Sequence, residues 1–221
     1  MCDQITIEGI EAALAMVDFD GTSAHLKMAP IPRLSQRPPD RSGDARLGGV
    51  LLLLYCLENE LHLVLTRRRE DLPSHAGQIS FPGGRREQSE TLVETALRET
   101  CEEVGICPEK LTVLGRLTPL YIYPSDYEVH PYVAWYVNGE RPTFSPSPDE
   151  VAQIIEVPVR LLLDPDLRTE EMWTIRGYEL LVPFFAIEEH KVWGATAMML
   201  SEFLERLRAH KGPGGSPAGP A

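Results

Sequence analysis

Apolar residues recur at Ile7, Ile10, Leu14 and Val17 after Thr6, a spacing that predicts an amphipathic helix over residues 7–18 with Thr6 as its N-cap. Residues 29–46 lose that periodicity and become proline-rich, with Arg33, Arg37, Arg41 and Arg46 spread among them, the pattern of an extended segment over a domain surface. A continuous apolar run follows. Residues 48–56 and 61–66 read as buried strands joined in a hairpin across Glu58-Asn59-Glu60. Residues 78–81 form a short strand before Pro82-Gly83-Gly84, and residues 91–104 give the strongest helical signal. Thr91 and Glu94 make a capping box at its start, and Gly105 stands just past its end. Strands are expected at 111–117, 129–137 and 151–157, then a hairpin of 172–175 and 179–187 turning at Arg176-Gly177. Residues 192–209 close the pattern as a helix with Trp193, Ala197, Leu200, Phe203, Leu204 and Leu207 on one side. Strands mixed with few helices indicate an α+β or layered α/β/α domain.

The organisation read from this is an N-terminal helix and extended segment over 1–46, a principal domain over 47–210, and a tail over 211–221. Residues 212–221 are Gly, Pro, Ser and Ala alone, the composition of disorder. In 221 residues, 43% hydrophobic and 24% charged, one core with trimmings is expected. A net charge of −12 opposes adhesion to nucleic acid or an anionic membrane, so neither is expected as a partner. The longest apolar run, 50–57, is far short of the roughly 18 residues of a membrane span. Cys2, Cys56, Cys101 and Cys107 form no C-x-x-C pair, so neither a zinc site nor a disulfide framework is indicated, and Cys56 and Cys101 read as core. The N-terminus has no basic region and no small-residue cleavage site, and the expectation is a cytoplasmic protein.

The helix over 91–104 carries the chemistry. At about 100° per residue, Glu99, Glu102 and Glu103 share one arc, beside an apolar arc of Val93, Leu97, Thr100 and Val104. Like charges at i,i+4 and acids in the last turn each cost a few tenths of a kcal/mol, so a solvated bank of this kind calls for neutralisation. A hard divalent cation, Mg²⁺ or Mn²⁺, takes oxygen ligands and would supply it. Arg98 is placed to reach Glu94 and Glu102 at i−4 and i+4.

Gly84, Glu90, Arg98, Glu99, Glu102, Glu103, Gly105 and Ile106 fall in register with G-x5-E-x7-R-E-U-x-E-E-x-G-U, where U is a bulky aliphatic residue; Thr100 departs at the first U. In this the chain resembles the Nudix hydrolases. The resemblance implies an α/β fold, an α/β/α sandwich with a mixed sheet, and hydrolysis of a nucleoside diphosphate linked to another moiety. It implies Glu99 and Glu103 as metal ligands, Glu102 as a further ligand or neighbouring acid, the Gly84 carbonyl as a supplementary ligand, and Glu90 as structural. Such chemistry needs charge screening, an in-line water and a stabilised leaving phosphate, which divalent ions supply. The base stays open between the box and Glu150, a loop acid that reads equally as an exposed carboxylate.

Upstream, residues 64–84 resemble the coenzyme A diphosphatase branch, L-L-T-x-R-[S/A]-x3-R-x3-G-x3-F-P-G-G. Thr66, Arg68, Gly77 and the Phe81-Pro82-Gly83-Gly84 run match, while Arg69 and Pro73 depart. Residues 192–197 are similar to the same branch. The implied reaction is hydrolysis of coenzyme A to 3′,5′-ADP and 4′-phosphopantetheine, with coenzyme A or acyl-CoA as substrate and room for a homodimer. Arg67, Arg68, Arg69, Gly83 and Gly84 are the candidate phosphate contacts, with Arg85 and Arg86 in reserve, since the guanidinium fork pairs bidentately with phosphate. His75 either donates to a phosphate or caps its loop. ADP-ribose or a dinucleotide is the alternative substrate, and a ligand sensor without catalysis the alternative class.

Overall fold

The structure, a computed structural model, describes residues 5–33 and 43–211. In chain order the elements are α1 (Ile7–Leu14), α2 (Gly21–Leu26), β1 (Arg46–Leu57), β2 (Glu60–Arg68), β3 (Ile79–Ser80), β4 (Gly83–Arg85), α3 (Leu92–Val104), β5 (Leu111–Arg116), β6 (Leu120–Ile122), β7 (Tyr127–Tyr136), β8 (Val151–Pro158), α4 (Val159–Leu162), β9 (Arg168–Ile175), β10 (Tyr178–Ile187), β11 (His190–Trp193) and α5 (Gly194–Lys211).

β1 organises the main sheet because its apolar run lets it be buried on both faces. It pairs with β2 through the expected hairpin, runs parallel to β7 from Arg46↔Tyr127 to Leu54↔Trp135, and takes β4 antiparallel at Gly48↔Arg85. The sheet is therefore mixed. Leu51, Leu53 and Tyr55 face one core with Ala96 and Val104 of α3, while Leu52 and Leu54 face the other with Phe203 and Leu204 of α5. The result is an α/β/α sandwich, with a smaller antiparallel sheet β11-β10-β9 at the side. At Gly49 a Cβ would lie 2.3 Å from the Leu92 carbonyl, so only glycine admits the start of α3 this close to β1.

The first expected helix is shorter than its periodicity suggested. α1 ends at Leu14, Val17 is 94% exposed, and Asp20 starts α2 by accepting from the Ser23 backbone N–H. The last helix begins at Gly194 rather than 192, because Val192 and Trp193 pair with Phe185 and Phe184 in β11. The extended segment is described to residue 33, and residues 34–42, with the expected tail over 212–221, lie outside the described residues. Cys101 and Cys107, not expected to pair, are joined in a disulfide because the chain reverses at Gly105, whose φ of 76° closes α3. No helix among the described residues is long and apolar enough to cross a membrane.

Candidate active site

The capping box forms as read: Glu94 Nα–H donates to the Thr91 hydroxyl, and the Glu94 carboxylate accepts from the Thr91 backbone N–H at 2.7 Å. That occupies Glu94, so Arg98 reaches back to Glu90 instead, with Nε 2.6 Å from Glu90 Oε1, and forward to Glu102 at 3.0 Å. The same guanidinium lies 3.0 Å from Glu99 and donates to the Arg85 carbonyl. Glu90 also accepts from the Thr95 hydroxyl at 2.9 Å. Donation by Arg98 holds the Glu90 carboxyl down at about 2, against the effect of burial. Glu90 is thus a buttress for Arg98, and Arg98 a clasp over two of the three bank carboxylates.

Glu103 departs from the solvated bank expected of it. It is only 7% exposed, because β4 and the loop before β8 cover its face of α3. Burial, reinforced by the charges of Glu99 and Glu150, pushes its carboxyl up to about 8, with the Gly83 N–H and Arg68 offsetting part of the effect. Glu99 is also pushed up, chiefly by burial, with Arg98 opposing. Glu102 remains exposed. At Gly84 a Cβ would lie 2.4 Å from the Glu99 carboxyl carbon, so the carboxylate rests directly against bare backbone.

The loop before β8 completes this side. Ser147 N–H donates to the Glu103 carbonyl and Ser145 N–H to the Val104 carbonyl, each at 2.9 Å, satisfying acceptors at the end of α3. Glu150 follows, 3.2 Å from Arg68 Nη1, with its carbonyl accepting from the Arg69 N–H. The fold thus gathers Glu99, Glu102, Glu103, Glu150, Arg98, Arg68, Gly83 and Gly84. Among the described residues no three His, Cys, Asp or Glu side chains already converge as a preformed metal cage. The donors nevertheless fit a hard cation: all are oxygen, Glu103 is buried with no cation paired to it, Glu99 is partly buried beside it, and a backbone carbonyl stands next to them.

A cavity of about 620 Å³ opens beside Gly83 and Gly84. Arg68 and His75 line it, the imidazole 2.7 Å from Gln78 Oε1, in the loop-capping arrangement. Arg67 and Arg69 do not line it; their guanidinium groups lie on Glu70 and Asp71. Sequence reasoning missed Arg33, Arg176, Tyr121, Tyr123, Tyr127 and Trp193, all of which line the cavity. The local signals for them were the aromatic spacing Tyr121-x-Tyr123 and, for Trp193, the resemblance of residues 192–197.

An acid-bearing helix clasped by one arginine over a glycine turn, inside an α/β/α sandwich, defines a class, and comparison with known proteins gives it a family. Residues 48–175 match the NUDIX domain. A Nudix hydrolase NudL of Photorhabdus laumondii is 35% identical over 172 residues, covering 77% of this chain and 90% of that protein. A NudL of Pectobacterium atrosepticum is 40% identical over 148 residues, 66% of this chain and 71% of its own. A probable nudix hydrolase of Schizosaccharomyces pombe is 33% identical over 80% of this chain, which spans 60% of that protein's length. The chain belongs to the Nudix family and is a Nudix hydrolase, an enzyme that cleaves pyrophosphate linkages.

Proposed function

We propose that this enzyme hydrolyses the pyrophosphate of coenzyme A, giving 3′,5′-ADP and 4′-phosphopantetheine. The observation that carries the reading is the conjunction of a carboxylate bank with a cavity whose walls hold Arg33, Arg68, Arg85 and Arg176 in a protein of net charge −12. Cationic walls in an acidic protein suit a polyanion. Much of the remaining lining is apolar or aromatic, including Trp193, Met198 and Met199, which suits a pantetheine arm and an adenine ring.

Glu99, Glu103, Glu102 and the Gly84 carbonyl would hold a Mg²⁺ or Mn²⁺ ion. When bound, such an ion screens the pyrophosphate charge and lowers the pKa of a coordinated water. Arg98 fixes Glu99 and Glu102 in orientation, so little of their freedom is lost during turnover. Arg68 is placed to leave Glu150 for a phosphate oxygen, and Glu150 is then free to accept the proton of the attacking water. Water oxygen bonds to phosphorus as the bridging P–O bond breaks, and each product keeps one phosphate of the cleaved diphosphate, the nucleoside product also retaining its 3′-phosphate.

The test is a panel of coenzyme A, dephospho-coenzyme A, ADP-ribose and NADH, each at equal concentration with Mg²⁺ or Mn²⁺. Coenzyme A should give the highest kcat/KM. A higher value for ADP-ribose or NADH would replace the substrate while leaving the hydrolase.

A further inference from the structure

The cavity has a second charged wall that the reaction above does not use. Ile31 exchanges both backbone hydrogen bonds with Leu181, at 2.9 and 2.8 Å, and so fastens the N-terminal segment to β10 of the smaller sheet. Two residues on, the Arg33 guanidinium stands 5.6 Å from the centre of the Tyr123 ring, which meets Tyr121 edge-on at 4.7 Å. Arg176 comes from the β9–β10 turn, in a left-handed conformation with φ 53°. Glu179, across that turn, is engaged by the Thr174 hydroxyl.

Arg33 and Arg176 are exposed, line the same cavity, and have no carboxylate partner among the described residues. Arg67, Arg68, Arg69 and Arg98, by contrast, all lie on carboxylates. Two arginines without counter-charge, carried by the smaller sheet and the segment bridged to it, face a concave surface with aromatic rings. That is the chemistry of a site for a dianionic phosphate monoester, which two guanidinium forks can share.

We propose that Arg33 and Arg176 form a distal anion subsite for a phosphate monoester on the nucleoside part of the substrate, apart from the diphosphate that is cut. This rests on the reading of the cavity as a nucleoside diphosphate site. It assigns the 3′-phosphate to side chains that only the tertiary fold brings together, rather than to the candidate phosphate contacts Arg67 and Arg69.

Calorimetric titration of the metal-free protein with 3′,5′-ADP and with AMP, which lacks the 3′-phosphate, tests the subsite without turnover. Wild type should bind 3′,5′-ADP about tenfold more tightly or better, the scale of one or two charge-assisted hydrogen bonds. In R33Q/R176Q the two affinities should come within about twofold while AMP binding is unchanged. Equal wild-type affinities, or a preference kept by the double variant, would overturn the subsite. R33K/R176K, retaining charge without the fork, should keep part of the preference; if the Gln variant is unstable, a full preference in the Lys variant at unchanged thermal midpoint counts against the proposal. The kcat/KM ratio of coenzyme A to dephospho-coenzyme A should fall in parallel. If neither is hydrolysed, the substrate reading fails, and the titration still decides the subsite.

Discussion

On the reactive side of the cavity, Gly84, Glu90, Arg98, Glu99, Glu102 and Glu103 lie within one turn and one helix, and nearly every charge there has a partner. On the far side, residues 33, 123 and 176 come from three separate segments, and the two arginines stand without carboxylates. The contrast is one of timing in use. The near side is pre-assembled, so its groups lose little entropy when substrate arrives, whereas the far side keeps its charge unspent until an anion enters. Substitution should therefore affect chemistry and stability on the near side, and affinity alone on the far side.

The largest effect belongs to Glu103. Glu103→Gln is isosteric and should keep the fold, by circular dichroism, while lowering kcat on the order of a hundred- to a thousand-fold. Activity within a few-fold of wild type would remove Glu103 from the machinery. Next comes Arg98→Ala, which leaves Glu90, Glu99 and Glu102 without their shared donor. Allowing for partial solvent screening, the loss should be about 1–3 kcal/mol in urea unfolding, with kcat falling as well. R33Q/R176Q should show neither change, and a comparable loss of stability there would erase the distinction between the two sides.

Arg68→Ala should lower kcat/KM for coenzyme A by roughly ten- to a hundred-fold. Arg67→Ala and Arg69→Ala should cost much less, because their guanidinium groups lie on Glu70 and Asp71 outside the cavity. Equal losses for all three would return phosphate recognition to the whole Arg67-Arg68-Arg69 run. The smallest effect is in acid. Glu90, held down to about 2 by Arg98, contributes stability that is full above its unfolded value near 4.5 and is lost as pH falls toward 2. Unfolding curves between pH 5 and 2 should therefore be flatter for Glu90→Gln than for wild type, a slope that no far-side variant alters.

The same contrast explains what could be read before the fold. The β1 run, the capping box and the spacing from Gly84 to Ile106 are local, so short-range rules suffice for them. A helical wheel set Glu103 beside Glu99 but could not show it buried, because the covering groups come from β4 and the loop at 145–147. It also sent Arg98 toward Glu94, which the cap had already taken. Trp193 read as the first turn of a helix, yet Gly194, with φ 64°, separates it from α5 and leaves it on a strand facing the cavity. Arg33 and Arg176 carry no local signal at all, since the Ile31–Leu181 bridge and the β9–β10 turn bring them to one wall.

Whether the α3 carboxylates form a divalent-cation site is decided by titration of Mn²⁺ into the protein, followed by the loss of the free-ion paramagnetic resonance signal. Wild type should bind Mn²⁺ and yield it to excess Mg²⁺, and Glu103→Gln should bind at least tenfold more weakly while R33Q/R176Q binds as wild type does. Equal binding by Glu103→Gln and wild type, or no binding by a folded wild type, would mean that these carboxylates are not the cation site.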